Sequence, residues 1–332
     1  KASNGDILGI AIDLDGKTFE GFVNNVSQGS FSFSSRTVGS GVVVPMVVGY
    51  SSGSGTSTFV LNFGQDSSFA GQKTAQGNGG TGEDFYYTPP AGFKALNTDF
   101  NTVLYTGNAT ARDITDVGFQ SDFTWIKDRG AAYSHANWDS VRGDNKRIQS
   151  NNTGAEQTAT ETVTFGNANG FSLGTDAGDW GVNKASHTYA SWNWKAGGTA
   201  VANTDGSIPG TVNVSANTTA GFSIVSYTGD ADNTSTVGHG LSVIPDLIIM
   251  KCRSTAGRDW VVGSTALTSP TAYNLVLNTA AAEANNVSFF TTAATSSVWY
   301  PGDGGASNGS GLTYIAYCFH SIEGYSKVGS FT

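Results

Sequence analysis

Trp138, Trp180 and Trp299 lie in segments rich in Gly, Asn and Asp rather than in alternating apolar runs. Tyr300 and Asp303 follow the last of them, in Trp299-Tyr-Pro-Gly-Asp303. A flat aromatic face covers the apolar side of a sugar ring, and nearby carboxylates and amides take its hydroxyls. These five residues form the candidate ligand site, and a carbohydrate is the ligand that suits them. The competing expectation is that each tryptophan caps the end of its own sheet. Trp125, Trp192, Trp194 and Trp260 sit in strand-like patterns, which is where core residues are expected.

Other chemistry has weaker footing. Gly170-Phe-Ser172-Leu-Gly174 has nucleophile-elbow spacing, but that motif needs a strand-to-helix turn and no helix-forming stretch follows. The four histidines, His135, His187, His239 and His320, show no zinc-ligand spacing. Asp13-x-Asp15 and Asp230-x-Asp232 offer oxygen ligands to calcium, without the late glutamate of a helix-loop-helix site. Calcium at Asp230 and Asp232 is the sole cofactor worth carrying, as a weak candidate; no other metal or cofactor is expected. A glycosidase needs two carboxylates about 5.5 Å or about 6.5–9.5 Å apart. Glutamate is scarce here and never so arranged, so the chain reads as a non-enzyme, with a polysaccharide-degrading enzyme as the weaker alternative.

These residues must be held by strands. Charged residues are 13% of the chain and there are 44 Gly, whereas long helices need Ala, Leu, Glu, Lys and Arg. Aromatic and β-branched runs between Gly, Asn, Ser and Asp turns predict an all-β fold of tandem antiparallel β-sandwiches. The organising stretch occurs twice, as Asp122-Phe-Thr-Trp-Ile-Lys-Asp-Arg129 and Asp246-Leu-Ile-Ile-Met-Lys-Cys-Arg253, 124 residues apart. Tyr105-Thr-Gly107 returns as Tyr227-Thr-Gly229 at an offset of 122, and Tyr189–Trp194 as Tyr314–Phe319 at 125. Landmarks that slip by three residues over a whole domain indicate internal duplication. In the first copy Phe123, Trp125 and Lys127 should share one face, with Thr124 and Ile126 on the other. His135, Asp139 and Arg142 have no counterpart in the second copy. The expected divisions are 1–98, then repeats over 99–220 and 221–323, with 197–217 as a linker. Residues 324–332 resemble the opening strand of a further repeat. The net charge is −9 with no basic cluster, which disfavours nucleic acid. No apolar run reaches the roughly 18–20 residues of a membrane helix, so membrane insertion is not expected. Cys252 and Cys318 are expected to be buried free thiols.

Within the first block, "GDILGIAIDLDGKTFEGFVNN", "VVPMVVGYSSGSGTSTFVLNFGQ" and "TPPAGFKALNT" resemble the C-terminal part of a SPRY domain, a concanavalin A-like sandwich of jelly-roll type. The resemblance implies strands over 42–50 and 58–64 and an inserted loop over 71–84, with the family's first strands missing ahead of Lys1, either cut off or replaced by another segment that completes the domain. Over 100–332, "FQSDFTWIKDRGAAYSHANWDSVRG", "YASWNWKAGG", "TVGHGLSVIPDLIIMKCR" and "YIAYCFHSIEGYSKVGSFT" resemble a repeat of tailed-phage virion proteins, marine phages in particular. The resemblance implies a lectin-like virion-surface or tail-fibre protein, continuing beyond both ends of this chain. It also implies self-association, with a trimer favoured, contact with other virion proteins, and attachment to host surface polysaccharide. The alternative is a purely structural decoration or spacer fibre of the capsid or tail.

Overall fold

Alternating apolar side chains put successive residues on opposite faces of a strand. Every strand pair among the described residues is antiparallel, and no helix occurs there. The computed structural model describes residues 6–13, 18–32, 74, 99–286, 288–322 and 325–330. The chain divides into two units, Lys1–Ala95 and Leu96–Thr332, close to the boundary expected after residue 98.

In the first unit β1 (Leu8–Asp13), β2 (Thr18–Val23) and β3 (Val26–Ser32) form one sheet in that order. Asn24 and Asn25 turn the second hairpin with φ of 50° and 65°, the left-handed pair that a two-residue turn of matching twist requires. Phe19 pairs with Phe31 across β2 and β3, their rings stacked at 5.1 Å. The third strand was not expected: its side chains are all exposed and its sequence is mostly Ser, Gln and Gly. The strands expected over 42–50 and 58–64, the loop over 71–84 apart from Thr74, and Asp15 with its turn lie outside the described residues.

The second unit holds both repeats. The first supplies β4 (Phe100–Thr106), β5 (Arg112–Ile114), β6 (Phe123–Asp128), β7 (Ala136–Asp139), β8 (Lys146–Gln149), β9 (Gln157–Thr158), β10 (Val163–Thr164), β11 (Phe171–Leu173) and β12 (Thr188–Trp194). The second supplies β13 (Val201–Asn203), β14 (Val212–Asn217), β15 (Phe222–Thr228), β16 (Val237–Gly238), β17 (Leu247–Cys252), β18 (Trp260–Ser264), β19 (Tyr273–Val276), β20 (Ala284–Asn285), β21 (Val298–Trp299) and β22 (Thr313–Phe319). The main sheet of the first repeat runs β4-β12-β6-β7-β8-β9, and that of the second contains the same order as β15-β22-β17-β18-β19-β20. Smaller sheets, β10-β11-β5 and β16-β21, complete the two sandwiches.

The duplication extends to register and to single hydrogen bonds. Tyr105 opposes Tyr189 as Tyr227 opposes Tyr314, with ring centroids 5.0 and 5.2 Å apart. Tyr105 donates to the Val182 carbonyl at 2.8 Å, and Tyr227 donates to that of Ser307 at 2.6 Å. The Ala109 N–H bonds the Asn183 carbonyl and the Ala231 N–H that of Asn308, both at 2.7 Å. Ala109 and Ala231 share the left-handed region at φ 53° and 62°. Each such match repeats at an offset of 122 to 125.

Three cores alternate with the sheets. Val103, Ile126, Trp138 and Tyr189 meet Ile114, Val163 and Phe171 inside the first sandwich. Val225, Met250, Cys252, Tyr314 and Cys318 meet Val237 and Trp299 inside the second. The remaining faces of the two main sheets pack on each other: Phe123 and Ile148 join Phe222, Ile224, Trp260 and Tyr317. Along β22, residues 314, 316 and 318 face one core and 315 and 317 the other, which is period-two alternation between two buried faces. The split of Phe123 and Trp125 from Ile126 across β6 is as expected. The resulting order is small sheet, main sheet, main sheet, small sheet.

The repeats are joined by more than apolar contact. Arg142 and Asp139, both with fully buried side chains, form an ion pair, and the Tyr317 hydroxyl donates to the same Asp139 oxygen at 2.7 Å. Arg253 donates twice to Glu156, at 2.9 and 3.1 Å, and Glu156 also lies 3.5 Å from Arg142. The stretch unique to the first copy is thus the clasp that receives the second. Two expectations are corrected. Residues 197–217 are not a bare linker, because β13 and β14 extend the second main sheet. Residues 325–330 form no strand; a turn and an isolated bridge between Ile322 and Ser326 close the described chain.

Candidate functional site

The loop from Gly174 to His187, between β11 and β12, carries Trp180. Its anchor is Asp176, a buried carboxylate that accepts the backbone N–H groups of Trp180 at 2.7 Å, Gly181 at 3.1 Å, Val182 at 3.0 Å and Asn183 at 3.2 Å. Asn183 ties the same loop to its neighbours, donating to the carbonyls of Thr110 at 2.9 Å and Gly174 at 2.7 Å. A buried amide with all its partners fixes the backbone more firmly than packing alone. Gly181, at φ 78°, lies under the Tyr133 ring; a Cβ there would approach the ring to 2.8 Å. Glycine is therefore required for Tyr133 to settle against the loop that carries Trp180.

Charged groups surround the two rings. The Arg147 guanidinium lies 5.2 Å from the centre of Trp180. Lys184 donates to the Tyr133 hydroxyl at 2.9 Å and to Asp179 at 3.0 Å, and Tyr133 donates to Asp179 at 2.9 Å. Bonds from Lys184 and Tyr133 hold the Asp179 carboxyl below its ordinary value. Contacts with Tyr133 and Asp179 push the Lys184 ammonium up. Both groups therefore stay charged at neutral pH. His187 bonds Asp128 at 2.6 Å; the Asp128 side chain is fully buried, whereas that of His187 is 28% exposed. Burial works to raise the Asp128 carboxyl, but His187 and the N–H groups of Gly130 and Ala131 hold it below the usual range. The result is a partly exposed indole beside Arg147, and against the same loop a partly exposed phenol flanked by a fixed anion, a fixed cation and a histidine. Groups of these types can hydrogen-bond the edge of a ring, and the Lys184 ammonium lies 5.6 Å from the centre of Tyr133.

Of the five candidate residues, Trp180 alone has this setting. Trp138 lies within β7 at 0% exposure, packed in the first sandwich core. Trp299 lies within β21 at 0%, its ring edge-on to Tyr227 at 5.8 Å. Neither can present a face to a ligand, and both are corrected to core residues. Tyr300 is half-buried and Asp303 exposed, in the loop after β21. With Trp299 beneath the surface, they form no aromatic platform.

The remaining candidates resolve similarly. Asp230 accepts bonds from the Asp232 N–H, the Asn308 amide and the Ser235 hydroxyl, and Asp232 accepts two from Thr234. These carboxylates serve turns, and no group of three metal-ligating side chains occurs among the described residues. Ser172 sits mid-strand in β11 and donates to Asp113 at 2.5 Å; Gly170 and Gly174 are pressed against neighbouring backbone. Cys252 and Cys318 are buried free thiols, and burial pushes that of Cys318 up to about 12.

Tyr133, Asp179, Lys184 and Arg147 were not singled out by type or spacing, and His187 was weighed only as a zinc ligand. One signal could have found them. At the repeat offset of 125, Asp179, Trp180 and Lys184 correspond to Gly304, Gly305 and Gly309, and at 124 Asp128 corresponds to Cys252. Chemistry present in one copy and replaced by glycine in the other marks the loop as free of the scaffold's demands.

No curated protein and no solved structure matches the chain. A family model described as Domain of unknown function (DUF7483) matches residues 97–332, both repeats together with the clasp between them. That match covers most of the chain and begins close to where the second unit begins; the chain belongs to the DUF7483 family.

Proposed function

We propose that the chain is a non-enzymatic segment of a phage virion surface protein, from a tail fibre or receptor-binding assembly. In this reading its first repeat contacts host surface glycans. The supporting observation is the loop that carries Trp180: a partly exposed indole under the Arg147 guanidinium, and Asp179, Lys184 and His187 of the same loop around Tyr133. The tailed-phage resemblance over 100–332 supplies the setting, a particle surface with other virion proteins and further copies of the chain, three by preference, as partners. Binding of the purified chain to a panel of bacterial surface polysaccharides tests this. A ligand should emerge, and Trp180→Ala and Tyr133→Ala should each weaken it several-fold to roughly tenfold, since a stacked ring is worth about 0.5–1.5 kcal/mol beyond its area burial. Folded wild-type protein that binds nothing on the panel would remove the support.

The second reading is a structural spacer of the capsid or tail. It is favoured by the repetition of the whole scaffold in a second copy whose corresponding loop carries glycines.

A further inference from the structure

The small sheet of the second sandwich, β16-β21, consists of two residue pairs, Val237 with Trp299 and Gly238 with Val298. So short a two-stranded ladder is weak by itself. His239 follows β16 and ties the segment down three times. Its backbone N–H donates to the Ser297 carbonyl at 3.1 Å. Its ring Nε2 lies 3.1 Å from the Thr295 carbonyl, and its Nδ1 lies 3.1 Å from the backbone nitrogen of Leu241. These partners fix the tautomer. A carbonyl only accepts and a backbone N–H only donates, so Nε2 carries the proton and Nδ1 a lone pair.

That arrangement leaves no room for a second proton. His239 is at 0% exposure. A proton on Nδ1 would set N–H against N–H, break the Leu241 bond and bury a charge. Burial holds the ring below its ordinary value of 6.5, while the Thr295 carbonyl and Asp205, just after β13, pull the other way. Among the described residues Asp205 is the charged group that bears on the ring. The first sandwich has no such device. Its small sheet has three strands, and offsets of 122 to 125 match His239 to residues 114–117, Ile-Thr-Asp-Val. We propose that His239 is an acid-sensitive latch on the second sandwich: the neutral imidazole holds β16 against β21, and a second proton releases them. Release uncovers Val237, Leu241 and Trp299 of the second core. In the open state the ring takes its proton near its ordinary value, so below about pH 6.5 the open state binds more protons than the closed one. The latch is therefore whole above that pH and weakens as pH falls toward the lower closed-state value. The proposal uses no part of the glycan reading.

Long-range proton–nitrogen NMR of the full chain should show a protonated Nε2 and a bare Nδ1 on His239 at about pH 8. Native-state hydrogen exchange, corrected for intrinsic rates, is then followed from about pH 8 to about pH 5. Protection of the His239 and Leu241 amides should fall below about pH 6.5, by up to about tenfold per pH unit, the limit for one proton. The β5 and β11 amides of the first sandwich should keep theirs. His239→Asn cannot titrate; its Leu241 amide should be less protected at about pH 8 and level across the range. A proton on Nδ1 at about pH 8 would overturn the proposal, and so would level protection in the wild type, which decides the matter even where the variant does not fold. An equal acid loss at β5 and β11, or one that persists in His239→Asn, would overturn it as well.

Discussion

The two repeats share a skeleton and differ in what fills it. Tyr105 and Tyr227, Tyr189 and Tyr314, Asn183 and Asn308 hold equivalent backbone in place through equivalent bonds. Around them the first copy places ions and exposed rings, and the second places apolar residues and thiols. Asp128, bonded to His187, stands where the second copy has the buried Cys252. Trp138 fills the first core from β7; its partner Thr124 corresponds to Ile248, whose partner is Gly263, and there the Phe290 ring occupies the vacated space. A few buried side chains bonded to backbone thus specify the fold, and the loop between them can carry chemistry in one copy and glycine in the other.

The largest expected effect is at the clasp. Asp139→Ala leaves the buried Arg142 with Glu156, at 3.5 Å, as its remaining carboxylate, which should cost toward the lower end of about 3–5 kcal/mol in urea unfolding. The double variant Asp139→Leu with Arg142→Met should recover most of that, because an apolar pair of similar volume often matches a buried ion pair. Failure of the double variant to recover would make the clasp a specific determinant of repeat docking.

Asn183→Ala and Asn308→Ala probe the shared skeleton. Each removes an amide that bonds backbone on both sides of its loop. Each should cost about 3 kcal/mol, to a similar extent in both copies. A large loss in one copy alone would break the equivalence.

The smallest effect separates two matched lysines. Lys251 is fully buried, with its ammonium on the Arg258 carbonyl at 2.7 Å and no carboxylate partner among the described residues; burial lowers its pKa from 10.5 to about 8. Its equivalent Lys127 is half-buried. A cation whose folded pKa lies below its unfolded value penalises the fold when protonated. The penalty is full below about pH 8 and fades as pH rises toward 10.5. Lys251→Met should therefore gain about 1–2 kcal/mol at pH 7, desolvation relieved less the lost hydrogen bond. The gain should shrink between pH 8 and 10, and Lys127→Met should change little.

Much of the fold was legible in the sequence, and less of the site. Aromatic strands at near-constant offsets revealed the duplication and the antiparallel sheets, because period-two burial leaves a mark in residue types. The linker hid β13 and β14, whose exposed edge tolerates Thr, Asp and Asn nearby. Trp138 and Trp299 were misplaced for a related reason. Short strands such as β7 and β21 carry one large core residue among polar neighbours, and their flanks look like loop. The Trp180 loop depends on Asp176 gathering four N–H groups, a tertiary arrangement that no local spacing announces.

If the first copy binds and the second does not, affinity for a surface polysaccharide that the wild-type chain recognises separates the two copies. Trp180→Ala in the first copy is compared with Tyr300→Ala in the second. The expected result is a loss of several-fold to roughly tenfold for Trp180→Ala and wild-type affinity for Tyr300→Ala. Unchanged binding by Trp180→Ala, with loss in Tyr300→Ala, would contradict it.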